Sequence, residues 1–264
     1  MLAKIFTHEK PIIGVVHLPA LPGSPHDSKD LEEICEFAIT DAHSLEEGGC
    51  DGIIIENYWD QPFLEKMAVE TVACMTKIAC EIKRNVSLPI GISALRNDPF
   101  AGLAIAHAIG GKFIRVNVYI GAAVVGTGIV HGCAAELLRY RNKLRSDVKI
   151  FADIDVKHAT PLVKVPIERE AREAAFRGNA DGLIVTSEET GSPPELEIVK
   201  RVQNAVSNIP VIVGSGVNSN NVQELLKVAD GAIVGSSLKQ NIAGPIDVNK
   251  VRTLVDAVLH LQSD

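Results

Sequence analysis

Aromatic residues make up only 4% of this 264-residue chain, whereas hydrophobic residues of all kinds make up 46%. A large core is therefore available, and it must be mainly aliphatic. No run of 18 apolar residues occurs, which excludes a transmembrane helix, and the first ten residues contain no apolar leader segment. Basic side chains are in the minority, 26 Lys and Arg against 33 Asp and Glu, for a net charge of −7. Nucleic acid is thereby excluded as the main partner, because a phosphate backbone needs a basic surface. The five cysteines form no C-x-x-C pair and are odd in number, which argues against a zinc ribbon or a disulfide framework. These features point to a reducing, cytoplasmic setting and leave room for peripheral membrane association. The first strand is not followed by G-x-G-x-x-G, and no H-E-x-x-H occurs, so no cofactor is expected and no specific motif supports a divalent metal.

What is present is a succession of short β-branched runs, each ending in a polar or glycine-rich turn. Ile12 to His17, Gly52 to Asn57, Pro89 to Ser93, Phe113 to Asn117, Lys149 to Ile154, Gly182 to Thr186, Val211 to Gly214 and Asp230 to Gly235 read as eight strands buried on both faces. Helical spacing separates them: Asp30 to Glu47 stopping at Gly48-Gly49, Leu64 to Lys83, a helix opened by Asn97-Asp98-Pro99, Pro166 to Arg177, and Val248 to Leu261 last. Val118 to Gly132 is glycine-rich and too long for a plain connection, so it is a candidate lid, and Ser187 to Pro194 is a polar loop. Proline enters three strands (Pro11, Pro89, Pro210) and Asp-Gly enters three others (Asp51, Asp181, Asp230), an alternation expected of repeated βα units. The expected architecture is α/β, a (β/α)8 barrel forming one domain over residues 1–264, with a doubly wound sheet as the alternative.

In such a barrel the C-terminal strand ends carry the site. Gly214-Ser215-Gly216 and Gly235-Ser236-Ser237 follow the seventh and eighth strands, where glycine permits close approach and a following helix start favours an anion. They read as a phosphate cradle, or alternatively as tight packing and helix caps. In Asp153-Ile-Asp-Val-Lys-His158, period-two alternation points Asp153, Asp155 and Lys157 the same way. Lysine there can form a Schiff base, and a carboxylate can act as acid or base; the plainer alternative is an ion pair of Asp153 or Asp155 with Lys157. Glu56 and Asn57 suit sugar hydroxyls or a metal, unless Glu56 is buried against Lys157 or Arg115. His17 suits a general base or a structural hydrogen bond, and His131 and His158 carry the same ambiguity. Asn117 and Thr186 complete the substrate-binding set. Cys133 fits the buried face of a helix better than a nucleophile.

Several of these segments together resemble the BtpA family over nearly the full length: Pro11 to Gly23, Asp51 to Asn57, Arg115-Val-Asn-Val118, Asp153 to His158, and Gly214 to Val217 with Asp230 to Gly235. The resemblance implies a TIM-barrel-like fold. It also implies two roles, because the founding member is implicated in stable accumulation of photosystem I reaction-centre proteins while relatives encoded near sugar-metabolism genes are described as enzymes. Where the family commonly carries a Thr-Asp-Gln-Gly type segment, this chain reads Val125-Gly-Thr-Gly128, so no role of that acidic residue carries over.

The resulting expectation is an enzyme acting on a small phosphorylated metabolite, a sugar phosphate or nucleoside-type compound, by lyase, isomerase or hydrolase chemistry. Its catalytic set is Asp153, Asp155, Lys157, His17 and Glu56. The rival is a non-catalytic photosystem I biogenesis factor, with a photosystem protein as partner if the source is photosynthetic. The aliphatic content of the surface helices allows a homo-oligomer.

Overall fold

A computed structural model describes residues 1–187 and 192–262, so the polar loop after the sixth barrel strand lies partly outside the described residues. Among the described residues eleven strands occur in chain order: β1 (Ile12–His17), β2 (Gly52–Glu56), β3 (Ile90–Ser93), β4 (Phe113–Val116), β5 (Ala122–Val125), β6 (Gly128–His131), β7 (Lys149–Ile154), β8 (Thr160–Pro161), β9 (Gly182–Val185), β10 (Val211–Val213) and β11 (Gly231–Val234). Eight of them close an all-parallel barrel in the order β1-β2-β3-β4-β7-β9-β10-β11, with β11 pairing back onto β1. The eight expected strands are the eight of the barrel. Around it lie α1 (Leu31–Glu47), α2 (Val69–Asn85), α3 (Pro99–Ala108), α4 (Ala134–Lys143), α5 (Ile167–Arg172), α6 (Leu196–Ala205), α7 (Val222–Leu226) and α8 (Val248–Gln262). Among the described residues no helix is long and apolar enough to cross a membrane.

Alternation along each strand divides the apolar residues into two layers. Ile13, Val15, Ile54, Phe113, Phe151, Ile184, Ile212 and Ile233 fill the barrel interior, and Leu2 and Phe6 plug its base. The rings of Phe113 and Phe151 stack with centroids 5.1 Å apart, and Phe6 meets Phe113 edge-on at 5.7 Å. Three of the seven phenylalanines thus fill the barrel interior. Gly91 makes room for them, since a Cβ there would lie 2.1 Å from the Phe113 ring. The complementary residues, such as Val16, Ile53, Ile55 and Ile92, face the helices and form the larger outer core. One step of alternation above the interior plug stand His17, Glu56, Arg115 and Asp153, so the same pattern that seals the barrel builds a polar layer over it.

Three departures from expectation shape the mouth. Helix α2 begins at Val69 instead of near Leu64, because the Met67 N–H donates to the Asp98 carboxylate (3.0 Å) and Ala68 is extended. Residues 61–66 therefore stay as loop on the barrel rim. The glycine-rich stretch after β4 is a hairpin, β5 paired antiparallel with β6 and extended by β8. Strand β7 ends at Ile154: Asp155 adopts a left-handed backbone (φ 50°), so the alternation that would align it with Asp153 stops there.

The cradle after β11 is tied to α1 by a buried ion pair. Lys239 follows the short turn Ser236–Leu238, and its Nζ lies 3.8 Å from Asp41 Oδ2, with both side chains sealed from solvent. Asp41 Oδ1 accepts the Ile246 N–H at 2.8 Å. Burial raises the Asp41 pKa and lowers that of Lys239, each opposed by the partner's charge. Removing one member of such a pair strands the other charge. Asp41→Ala should cost about 3–5 kcal/mol in urea unfolding; a loss below about 1 kcal/mol would show that the pair has no such role.

Candidate functional site

The C-terminal mouth of the barrel holds a cavity of about 310 Å³ between two unlike walls. One wall is backbone: Gly214-Ser215-Gly216 after β10 and Gly235-Ser236-Ser237 after β11. Gly216 has φ +65°, and a Cβ there would fall 2.0 Å from the backbone of Ser192 and Pro193, so only glycine fits. Among the described residues, the backbone N–H groups of Ser215, Gly216 and Val217 donate to no acceptor. The helix start expected after each turn is short or delayed. Gly235 leads into the single turn Ser236–Leu238, and α7, which begins only at Val222, is five residues long. An anion placed here would meet free N–H groups and the facing side chains, not a helix dipole.

The opposite wall is charged, and Arg115 is its hub. Its Nε and one terminal nitrogen donate to Asp153 Oδ1 and Oδ2 at 2.9 and 3.0 Å, and its other terminal nitrogen lies 3.9 Å from Glu56 Oε1. Burial opposes the Arg115 charge, but the Asp153 and Glu56 carboxylates outweigh it and hold its pKa above the usual value. Asn117 adds a 2.7 Å hydrogen bond to Asp153 Oδ2. With both oxygens hydrogen-bonded and a side chain that is 0% exposed, Asp153 positions Arg115. The ion pair anticipated for it exists, with Arg115 in place of Lys157.

Glu56 also faces His17, at 3.6 Å between Oε2 and Nε2, and the His17 ring packs on Tyr58 with centroids 4.8 Å apart. Burial pulls the His17 pKa down to about 4 against the pull of Glu56, so the imidazole is neutral at pH 7. A base that weak suits a neutral hydrogen-bonding role better than proton abstraction. Lys157 reaches the cavity from a turn bracketed by two left-handed residues, Asp155 and His158 (φ 57°). Its backbone is pinned on both sides: the N–H donates to Thr186 Oγ1 at 3.4 Å and the carbonyl accepts from Arg96 at 2.5 Å. Burial lowers the Lys157 pKa, Arg115 and Arg96 lower it further, and Glu56 and Asp153 oppose. A partly desolvated amine beside guanidinium groups is the arrangement that yields a neutral, nucleophilic lysine.

Other expected site residues fall elsewhere. Asp155 is exposed and turned away, its N–H bonded to Glu170 Oε1 at 3.2 Å. Asn57 is consumed in structure, donating to Asp60 Oδ2 (3.0 Å) and the Leu95 carbonyl (3.2 Å) and accepting from the Leu95 N–H (2.8 Å). Thr186 is buried beneath Lys157. Ser237 faces the cavity while donating to the Val217 carbonyl at 2.6 Å. Cys133 is buried and its thiol is pushed up to about 12 by burial, so it is no nucleophile. All five cysteines are free. Among the described residues no group of three or more His, Cys, Asp or Glu side chains is placed to hold a metal.

Residues 8–260 match the model of the BtpA family. The chain belongs to the BtpA family. An uncharacterised protein of Pyrococcus furiosus is 46% identical to it, with 94% of each chain covered. The photosystem I biogenesis protein BtpA of Synechocystis sp. is 43% identical, covering 97% of this chain and 91% of its own. In fold the chain resembles N-(5'-phosphoribosyl)anthranilate isomerase from Pyrococcus furiosus, with a TM-score of 0.59 at 17% identity over 95% of this chain and 99% of that one.

In this BtpA-family barrel, sequence reasoning undervalued Arg115, Arg96 and Tyr58. Arg115 sits inside an otherwise apolar strand, Phe-Ile-Arg-Val, and a cation in a strand buried on both faces has to be answered by carboxylates. That was the available signal. Arg96 and Tyr58 lie in loops and gave none.

The pKa of His17 makes a pH prediction. Between pH 6.5, its unfolded value, and about 4, the unfolded chain holds a proton that the folded chain lacks, so His17 lowers stability as pH falls through this window. The contribution approaches about 3 kcal/mol at 1.36 kcal/mol per pH unit. Urea unfolding of His17→Gln should show a correspondingly smaller loss between pH 7 and pH 4.5 than the parent. Identical losses in the two proteins would contradict the buried neutral imidazole.

Proposed function

We propose that this BtpA-family barrel is an enzyme acting on a small phosphorylated metabolite, its phosphate held by residues 214–217 and 235–237. The observation that carries the reading is the opposition of unpartnered backbone N–H groups to Arg115 and Lys157 across one cavity. Around the mouth the cations Arg96, Arg115 and Lys157 are matched by the carboxylates Glu56 and Glu65 on its walls and by Asp153 paired with Arg115, so the reading rests on where the cations stand and not on a surplus of positive charge. In this reading Lys157 exchanges a proton with the substrate or adds to its carbonyl, Glu56 takes the complementary acid–base role, and neutral His17 hydrogen-bonds the reacting group. A barrel neighbour named as an N-(5'-phosphoribosyl)anthranilate isomerase accords with a phosphorylated ligand, and the loops after the last two strands are where barrels commonly bind phosphate.

A second reading, a photosystem I biogenesis role, is favoured by the name of the Synechocystis relative. It also has a surface to use: Val124, Ile129, Leu162 and Val163 are exposed on and beside the small antiparallel sheet.

Thermal-shift measurements with inorganic phosphate, ribose 5-phosphate and nucleoside monophosphates separate the two readings. At a hundred times its Kd, a bound ligand should stabilise the protein by about 2.7 kcal/mol. Ser236 is the residue to alter, because it is exposed on the cavity rim, whereas a side chain at Gly216 would collide with residues 192 and 193. Stabilisation of the parent but not of Ser236→Asp supports the enzyme reading. Absence of any shift with every phosphate compound overturns it in favour of the surface reading.

A further inference from the structure

A second cavity, about 730 Å³, opens beside the first and shares Glu56, Tyr58, Arg115 and Lys157 with it, so the two form one continuous mouth. Its chemistry differs from that of the cradle. Pro62, Phe63, Leu64 and Leu95 give it an apolar wall, while Arg96 and the hairpin tip Gly126-Thr127 lie on other sides. Its outer part is open to solvent: Leu64 is 61% exposed and Phe63 half-buried, in the rim loop 61–66 that the Asp98–Met67 hydrogen bond keeps out of α2, while Leu95 is buried behind them. Arg96 is half-buried, desolvation lowers its pKa, and its hydrogen bond to the Lys157 carbonyl holds the planar guanidinium at the cavity.

An apolar wall and a guanidinium plane around one space match a flat ring, which gains dispersion contact from the aliphatic side and a cation–π contact from the arginine. A bare sugar phosphate has hydroxyls on all sides and would leave this wall wet. Gln61 and Thr127 at the edge supply hydrogen-bonding groups suited to the heteroatoms of a base. Resting on the phosphate site proposed above, we infer that the substrate is a phosphate monoester carrying an aromatic heterocycle, of the nucleoside monophosphate class, with its ring in the second cavity and Lys157 between ring and phosphate.

Isothermal titration of the full chain with AMP, UMP, ribose 5-phosphate and hexyl phosphate tests this. At least one nucleotide should bind about tenfold or more tighter than ribose 5-phosphate and than hexyl phosphate, the scale of one stacked base. Leu64→Ser, at an exposed position, and Phe63→Ala should reduce that preference while leaving ribose 5-phosphate affinity unchanged. Equal affinity for nucleotides and ribose 5-phosphate overturns the ring assignment and leaves the phosphate site standing. Tight binding of hexyl phosphate alone overturns it in favour of an aliphatic group. Failure of all four ligands to bind overturns the phosphate site and this assignment together.

Discussion

One guanidinium sets the terms of the barrel mouth. Arg115 stands on β4 directly above the aromatic plug, where an unpaired charge would be prohibitive, and the fork it makes with Asp153 is what allows it to be there. Asp153 is spent on that fork and on Asn117. The remaining edge of Arg115 looks towards Glu56, and Glu56 towards His17, so the polar layer is ordered around the ring from β7 through β4 and β2 to β1. On the opposite arc, β10 and β11 end in glycine. A Cβ at Gly235 would lie 2.8 Å from His17 Cε1, so the cradle and the charged layer are fitted to each other in the same space.

This arrangement separates scaffold from chemistry. Asp153, Asn57 and Asp98 are carboxylate or amide groups at the mouth whose atoms are committed to holding Arg115, the Leu95 turn and the Met67 rim. Glu56, His17 and Lys157 face open space, and two of them carry pKa shifts caused chiefly by burial. Strain is placed at the same point: two non-glycine residues in left-handed conformation bracket Lys157, a cost that the surrounding hydrogen bonds sustain.

Much of this was legible in the residue pattern. Eight β-branched runs with polar or glycine ends read as barrel strands because burial on both faces leaves no other composition, and the N-caps Asp30 and Asp98 accept the hydrogen bonds their positions imply. The cradle glycines, His17, Glu56 and Lys157 were all visible as strand-end residues. What was hidden depended on backbone direction or on long-range pairing. Period-two reasoning carried Asp155 into the mouth because nothing local marks the left-handed turn that throws it outward. Leu64 read as the start of a helix because the competing hydrogen bond involves Asp98, more than thirty residues away. The Val118–Gly132 stretch read as an irregular loop because its third strand, Thr160–Pro161, is distant in sequence.

A crystal structure of the protein soaked with inorganic phosphate tests the central claim most directly. The account predicts a phosphate in the first cavity, within hydrogen-bonding distance of the Gly216 and Val217 N–H groups and of Ser236, with Arg115 and Lys157 facing it. Phosphate bound elsewhere on the molecule, with this cavity holding only water, would contradict it.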